Sequence, residues 1–213
     1  MLQRRQILYG TLSSVLLLLC GCGRIVQWTK GNFYQGDTLE NEQEEAQRFV
    51  RTIVAYDQFT TVARFDALWL SDHVRTLYAQ AHVRKYARSS EQYNAFLRRQ
   101  LEENNHFIAF YVLCDYEHVL GDAQSSWSIV LKIDDNYYTP IEIKSVELSP
   151  IYQAFFGPRY NRFQVAYYVK FDAQNIEEND LIGDKTEKIA LYFKSLGKEV
   201  ALVWDILHHE NHV

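Results

Sequence analysis

From Phe107 to Leu207 the sequence is a succession of strand-length apolar and aromatic runs, cut at short intervals by turn residues. That punctuation restricts the chain to a fold built on antiparallel sheet. Phe107–Tyr116 is almost continuously apolar, as a strand buried on both faces would be. Runs at 127–133 and 137–148 flank Asp134-Asp135-Asn136, a tight-turn signal. A long aromatic run covers 162–172, and runs at 186–196 and 199–207 are joined through Gly197-Lys198 as a hairpin. Between them, Ser149-Pro150 predicts one or two helical turns ending at Phe156, before Gly157-Pro158.

Upstream, Phe59, Thr61, Ala63, Phe65, Ala67 and Trp69 alternate with their neighbours, which adds a strand at 59–70. Ser71 then caps a helix over 72–87 with the face Val74, Leu77, Tyr78 and Ala81. Ser89, with Gln92 three residues on, opens a second helix over 90–104 carrying Tyr93, Phe96, Leu97 and Leu101. A first helix is expected over 38–57, because Ala46, Phe49, Val50, Ile53 and Val54 recur at helical spacing. The expected fold is α+β: an antiparallel β-sandwich of about seven strands, immunoglobulin-like in type. An N-terminal helix and an inserted helical pair complete a single domain over 37–207, followed by a polar tail at 208–213.

The N-terminus carries a different signal. Arg4 and Arg5 precede an apolar run from Ile7 to Leu19. About 13 residues falls short of the roughly 20 that a membrane-crossing helix needs, and matches a signal-peptide core. The run ends in Leu19-Cys20-Gly21-Cys22, which resembles the lipobox of the bacterial lipoprotein class. The resemblance implies cleavage between Gly21 and Cys22, with diacylation (palmitate or a similar chain) on the Cys22 sulfur. Residues 1–21 would be removed, 22–36 would be a tether, and the mature chain would be held on an envelope membrane by lipid on Cys22. Two or three acyl chains anchor firmly where one binds marginally. Gly23, rather than Asp, after the lipidated cysteine implies the outer membrane if the cell is Gram-negative. Arg4-Arg5-Gln6-Ile7-Leu8 partly resembles a twin-arginine export signal, although two charges that orient an ordinary signal explain it as well.

Composition narrows the partners. The formal charge of −5 becomes −7 once Arg4 and Arg5 leave with the signal, which argues against nucleic acid and against electrostatic attachment to anionic lipid. Of three cysteines only Cys114 would remain as a thiol. It lies in an apolar strand, where it reads as a small hydrophobe rather than a nucleophile paired with His106 or His118. His208, His209 and His212 in the tail, and the acidic segment 172–184 with Asp172, Glu177, Glu178, Asp180 and Asp184, carry side chains of the kinds that bind metals. Neither has the required spacing. Asp66 and Glu142 are isolated carboxylates available to general acid–base chemistry. No cofactor is expected.

Aromatic residues make up 15% of the chain, and Tyr137, Tyr138, Tyr152, Tyr160, Tyr167 and Tyr168 fall in or beside expected strands. Adjacent tyrosines must point to opposite faces, so each pair either seals contacts between sandwich and helices or presents a ring for binding protein or glycan. These features imply a non-enzymatic binding or interaction module of the cell envelope. The alternatives are an envelope hydrolase using carboxylates or a bound metal, and a carrier of a small apolar ligand. Cys22→Ala is expected to abolish both the shift to the processed form and incorporation of labelled palmitate. Maturation of the variant at the wild-type rate would overturn the lipobox assignment.

Overall fold

The computed structural model describes residues 41–115, 119–175, 177–183 and 185–206. Gly21 and Cys22, the tether and the histidine tail lie outside the described residues. Residues from Glu42 onward form one compact unit.

The fold is α+β with two antiparallel sheets. Strands β1 (Val50–Asp57), β2 (Thr60–Trp69), β3 (Phe107–Asp115), β4 (Ser128–Ile133), β5 (Asn136–Tyr138), β6 (Glu142–Val146), β7 (Gln164–Asp172), β8 (Lys188–Lys194) and β9 (Glu199–Asp205) are arranged as a five-stranded sheet β1-β2-β3-β7-β6 and a four-stranded sheet β5-β4-β8-β9. Helices α1 (Asp72–Lys85) and α2 (Ser90–Asn104) are inserted between the neighbouring strands β2 and β3, as expected. A short helix, α3 (Pro150–Phe156), joins β6 to β7. The immunoglobulin type is not confirmed. In that fold the third strand belongs to the second sheet, whereas here β1, β2 and β3 are consecutive neighbours in one sheet.

Alternation on the central strands decides what faces what. On β2, Ala63, Phe65 and Ala67 enter the core between the sheets, as do Phe110 and Val112 of β3, Val169 and Phe171 of β7, and Leu131, Leu191 and Trp204 of the opposing sheet. Rings fill this space. Phe65 stacks on Phe193 at 4.0 Å between centroids, and Phe110 lies 5.3 Å from Trp204. The opposite face of the five-stranded sheet, with Leu68, Ala109 and Leu113 buried, is covered by helices. The helix starts follow the sequence: Ser71 caps α1, Ser89 and Gln92 form a capping box on α2, and Ser149 caps α3.

Two boundaries differ from expectation. The helix expected over 38–57 is helical at 41–47 and then gives way to β1. Apolar residues at 46, 49, 50, 53 and 54 satisfy helical spacing, but β-branched Val50, Ile53 and Val54 also suit a strand. Pairing of Val50 with Leu68 and Ile53 with Phe65 supplies the ladder that β2 would otherwise lack on that side. The run expected as one strand over 137–148 is two strands in different sheets. Pro140 has no N–H for a ladder, so the chain leaves β4 there and resumes when the Ile141 N–H donates to the Lys170 carbonyl. These two changes raise the seven expected strands to nine among the described residues.

Strands β1 and β9, at matching edges of the two sheets, are joined by side chains. The Arg51 Nε donates to the Val203 carbonyl (3.1 Å), and the Trp204 indole N–H to the Phe49 carbonyl (2.8 Å). The Lys198 ammonium binds the Tyr56 carbonyl and the Asp57 carboxylate.

Phe59, expected at the start of the strand, instead occupies the β1–β2 turn and is 101% exposed, whereas Phe65 is fully buried. Urea denaturation should therefore separate two chemically identical changes. Phe65→Ala is expected to cost about 3–5 kcal/mol, and Phe59→Ala no more than about 0.5 kcal/mol.

Candidate functional site

The candidate residues for chemistry do not converge on one site. Cys114 is fully buried on β3, and burial, followed by the neighbouring Asp115 charge, pushes its thiol up to about 12. His106 sits at the other end of the same strand, roughly 25 Å away by strand geometry, so the two cannot act as a pair. His118 lies outside the described residues.

Asp66 is completely buried, and accepts from Thr52 (2.5 Å), from the Arg64 guanidinium (3.0 and 3.3 Å) and from Gln164 (3.3 Å). It is a cross-link within the sheet. In the acidic segment the Asn175 side chain accepts from the N–H groups of Glu177 and Asn179, and Gln174 donates to Asp180, so the loop closes on itself. Asp184 lies outside the described residues, and among the described residues no cluster of three metal-ligating side chains occurs.

The tyrosines do converge. Tyr167 enters the sandwich core, and its neighbour Tyr168 faces the helices. Tyr168 of β7 pairs across the ladder with Tyr111 of β3, ring centroids 5.5 Å apart. Tyr111 meets Tyr152 of α3 edge-on at 4.7 Å, and Tyr152 stacks on Tyr78 of α1 at 4.2 Å. Four rings from four elements thus form one wall of a cavity of about 400 Å³ between the helices and the five-stranded sheet. The strand β6, with Glu142, Lys144 and Val146, forms its far side. Tyr137, by contrast, is exposed on β5 beneath the ammonium groups of Lys132 and Lys194.

Arg75, on the first turn of α1, lines this cavity and is only 2% exposed. Its Nε donates to the Leu70 carbonyl (3.3 Å) and the Asn104 side chain (2.6 Å). Its Nη1 donates to Gln100 (3.3 Å) and Glu103 (3.0 Å). Its Nη2 has no hydrogen-bond partner. The second oxygen of Glu103 accepts from the Tyr168 hydroxyl at 2.6 Å, so one carboxylate ties α1, α2 and β7 together.

The protonation states follow from these contacts. Burial alone would raise the Glu103 carboxyl, but the Tyr168 hydroxyl and then Arg75 outweigh it and hold the group below its usual range. Burial, reinforced by nearby Tyr78 and partly opposed by Arg75, pushes the Tyr111 hydroxyl up to about 12. Tyr152 and Tyr168 are raised too, first by burial and next by neighbouring Tyr111 and Glu103 respectively. At neutral pH the site therefore holds a fixed carboxylate at Glu103 and neutral phenols at Tyr111, Tyr152 and Tyr168.

Arg75, Glu103 and Tyr111 were not singled out in the sequence. The signal was there in part: Arg75 stands three residues before Tyr78, on the same helical face, a charge beside an apolar stripe. Arg75→Met should lower stability by about 3 kcal/mol, since Glu103, Gln100 and Asn104 lose their common donor. Tyr168→Phe should cost about 1.5 kcal/mol. Both effects are read from urea midpoints, and equal small effects would mean the network is decorative.

Comparison with known proteins adds no relative: no protein-family model matches the chain, and no curated protein is significantly similar to it.

Proposed function

We propose that the chain is an exported, lipid-anchored envelope protein acting as a non-enzymatic binding module, with acyl chains on Cys22 as its anchor and the Arg75 cavity as its recognition site. The observation that carries the binding reading is the cavity itself, walled by the rings of Tyr78, Tyr111, Tyr152 and Tyr168 and by the buried side chain of Arg75. The cavity volume of about 400 Å³ is also within the range of small-molecule sites.

Binding is favoured over catalysis by the titration of the same residues. General acid–base chemistry works best with groups that exchange protons near the operating pH. Here the carboxyl of Glu103 is held down and the phenols of Tyr111, Tyr152 and Tyr168 are held up. Groups locked on either side of neutrality orient a ligand without passing it protons. The lipid anchor rests on Leu19-Cys20-Gly21-Cys22 and on the apolar run before it.

Val146 lies on the cavity wall but makes no part of the Arg75 network, which makes it the position at which to close the cavity. Native mass spectrometry of full-length protein, extracted gently from membranes, should show a bound small molecule on the wild type. The species should be absent from Val146→Trp, whose circular dichroism should match the wild type. An identical spectrum from the plugged variant would sink the assignment of the site.

A further inference from the structure

We infer that two hairpin tips at one end of the sandwich, Phe59 between β1 and β2 and Leu196 between β8 and β9, dip into the surface of a lipid bilayer. The inference goes beyond the binding reading above and is independent of the Arg75 cavity. Of that reading it uses only the lipid anchor.

Strand β1 turns into β2 through Gln58 and Phe59, and β8 turns into β9 through residues 195–198. The two turns are held side by side. The Lys198 ammonium, in the second turn, binds the Tyr56 carbonyl and the Asp57 carboxylate at the end of β1. Each turn raises a fully exposed apolar side chain, Phe59 on one and Leu196 on the other, and Tyr56 beside them is more than half exposed. Exposed apolar residues scattered singly are ordinary. Here two stand on adjoining turns, at positions where small polar residues are the common choice.

Charge, backbone and shape all fit a bilayer better than a protein partner. No charged residue lies between Asp57 and Arg64, or between Lys194 and Lys198. The charges that flank the turns neutralise one another, Lys198 against Asp57 at 3.1 Å and Lys194 against Glu199 at 2.9 Å. The backbone is engaged as well: the Ser195 N–H donates to the Lys198 carbonyl at 2.8 Å, and the Tyr56 carbonyl accepts from the Lys198 ammonium. Lipid offers no substitute for a backbone hydrogen bond left unmade, so this internal pairing suits an apolar surrounding. Two side chains on convex turns give a rigid partner little area to cover, whereas a fluid bilayer closes around them. Tyrosine just behind such tips is a residue type favoured at the headgroup level.

The tether permits this contact. Residues 22–40, about 19 in number, reach at most about 65 Å when fully extended. Strand β2, ten residues long, measures roughly 33 Å. The tether is thus long enough for this end of the body to meet the membrane that holds Cys22. Weak insertion suffices there, because tethering keeps the local concentration of the tips near lipid high.

The test reconstitutes full-length protein into phosphatidylcholine vesicles, with and without added phosphatidylglycerol. An environment-sensitive fluorophore is attached at Phe59→Cys or at Leu196→Cys. Asp135→Cys, exposed in the β4–β5 turn at the opposite end of the same sheet, is the control. Wild type is the blank, since Cys114 is buried. Labels at 59 and 196 are expected to shift to the blue in both lipid mixtures and to be quenched by nitroxide-bearing lipid, while the label at 135 does neither. Phe59→Ser should diminish the shift at 196. Labels at 59 and 196 that behave like the label at 135, in protein that floats with the vesicles, would overturn the inference and leave the anchor standing. A shift that requires phosphatidylglycerol would overturn apolar insertion in favour of charge attraction. A shift in native membranes but not in pure lipid would put a protein partner in place of the bilayer. Protein that floats with neither vesicle would remove the anchor and this inference together.

Discussion

The guanidinium of Arg75 is the point at which the helices become part of the same body as the sheets. Burying an arginine is unfavourable unless its donors find acceptors, and the acceptors here come from two places in the chain. They are the carbonyl of Leu70 where β2 ends and three side chains on the last turns of α2, one of which, Glu103, also accepts from the Tyr168 hydroxyl on β7. The dependence is strong because α2 has no buried residue of its own. Its attachment to the rest of the molecule relies on partly buried rings such as Phe96 packed on Tyr78 and on this polar knot. Fixing Arg75 also fixes where α1 crosses the sheet, and so sets the gap that becomes the cavity.

The second organising fact is the two-sided use of tyrosine. A strand whose faces meet two different layers needs large side chains on both, and adjacent Tyr167 and Tyr168 serve one layer each. The helix-facing rings arrive with hydroxyls that must be satisfied or left near a void, and this layer is therefore more polar than the sandwich core, which is filled mainly by phenylalanine, tryptophan and aliphatic side chains. Space with polar rims forms where tyrosine replaces phenylalanine. The apolar and polar halves of the molecule are thus separated by the pleat of one sheet.

Much of the architecture was legible in the sequence, and the exceptions have physical causes. Alternation at 60–69, the capping residues Ser71, Ser89 and Ser149, and the turn at Asp134-Asp135 act locally, and local patterns survive folding unchanged. Strand β1 was hidden because its apolar residues fit either period, and only the partners of Val50, Ile53 and Val54, ten to eighteen positions away along β2, select the strand. The switch of sheets after Tyr138 was visible as Pro140 but not its destination, since the receiving strand, β7, comes later in the chain. The site was the least legible part. Tyr152 and Tyr168 stood out by type, whereas Arg75, Gln100, Glu103 and Asn104 look like an ordinary solvated helix surface until two helices are laid side by side.

The clasp between β1 and β9 has a consequence for how copies of this protein coexist. An uncovered strand edge offers a row of carbonyl and amide groups on which another polypeptide can grow a ladder. Along this seam the carbonyls of Phe49, Tyr56 and Val203 are already occupied by Trp204, Lys198 and Arg51. Closing this seam with long side chains rather than with a tenth strand withdraws one edge of each sheet from such copying, and confines any edge-to-edge growth to β5 and β6 at the opposite margins.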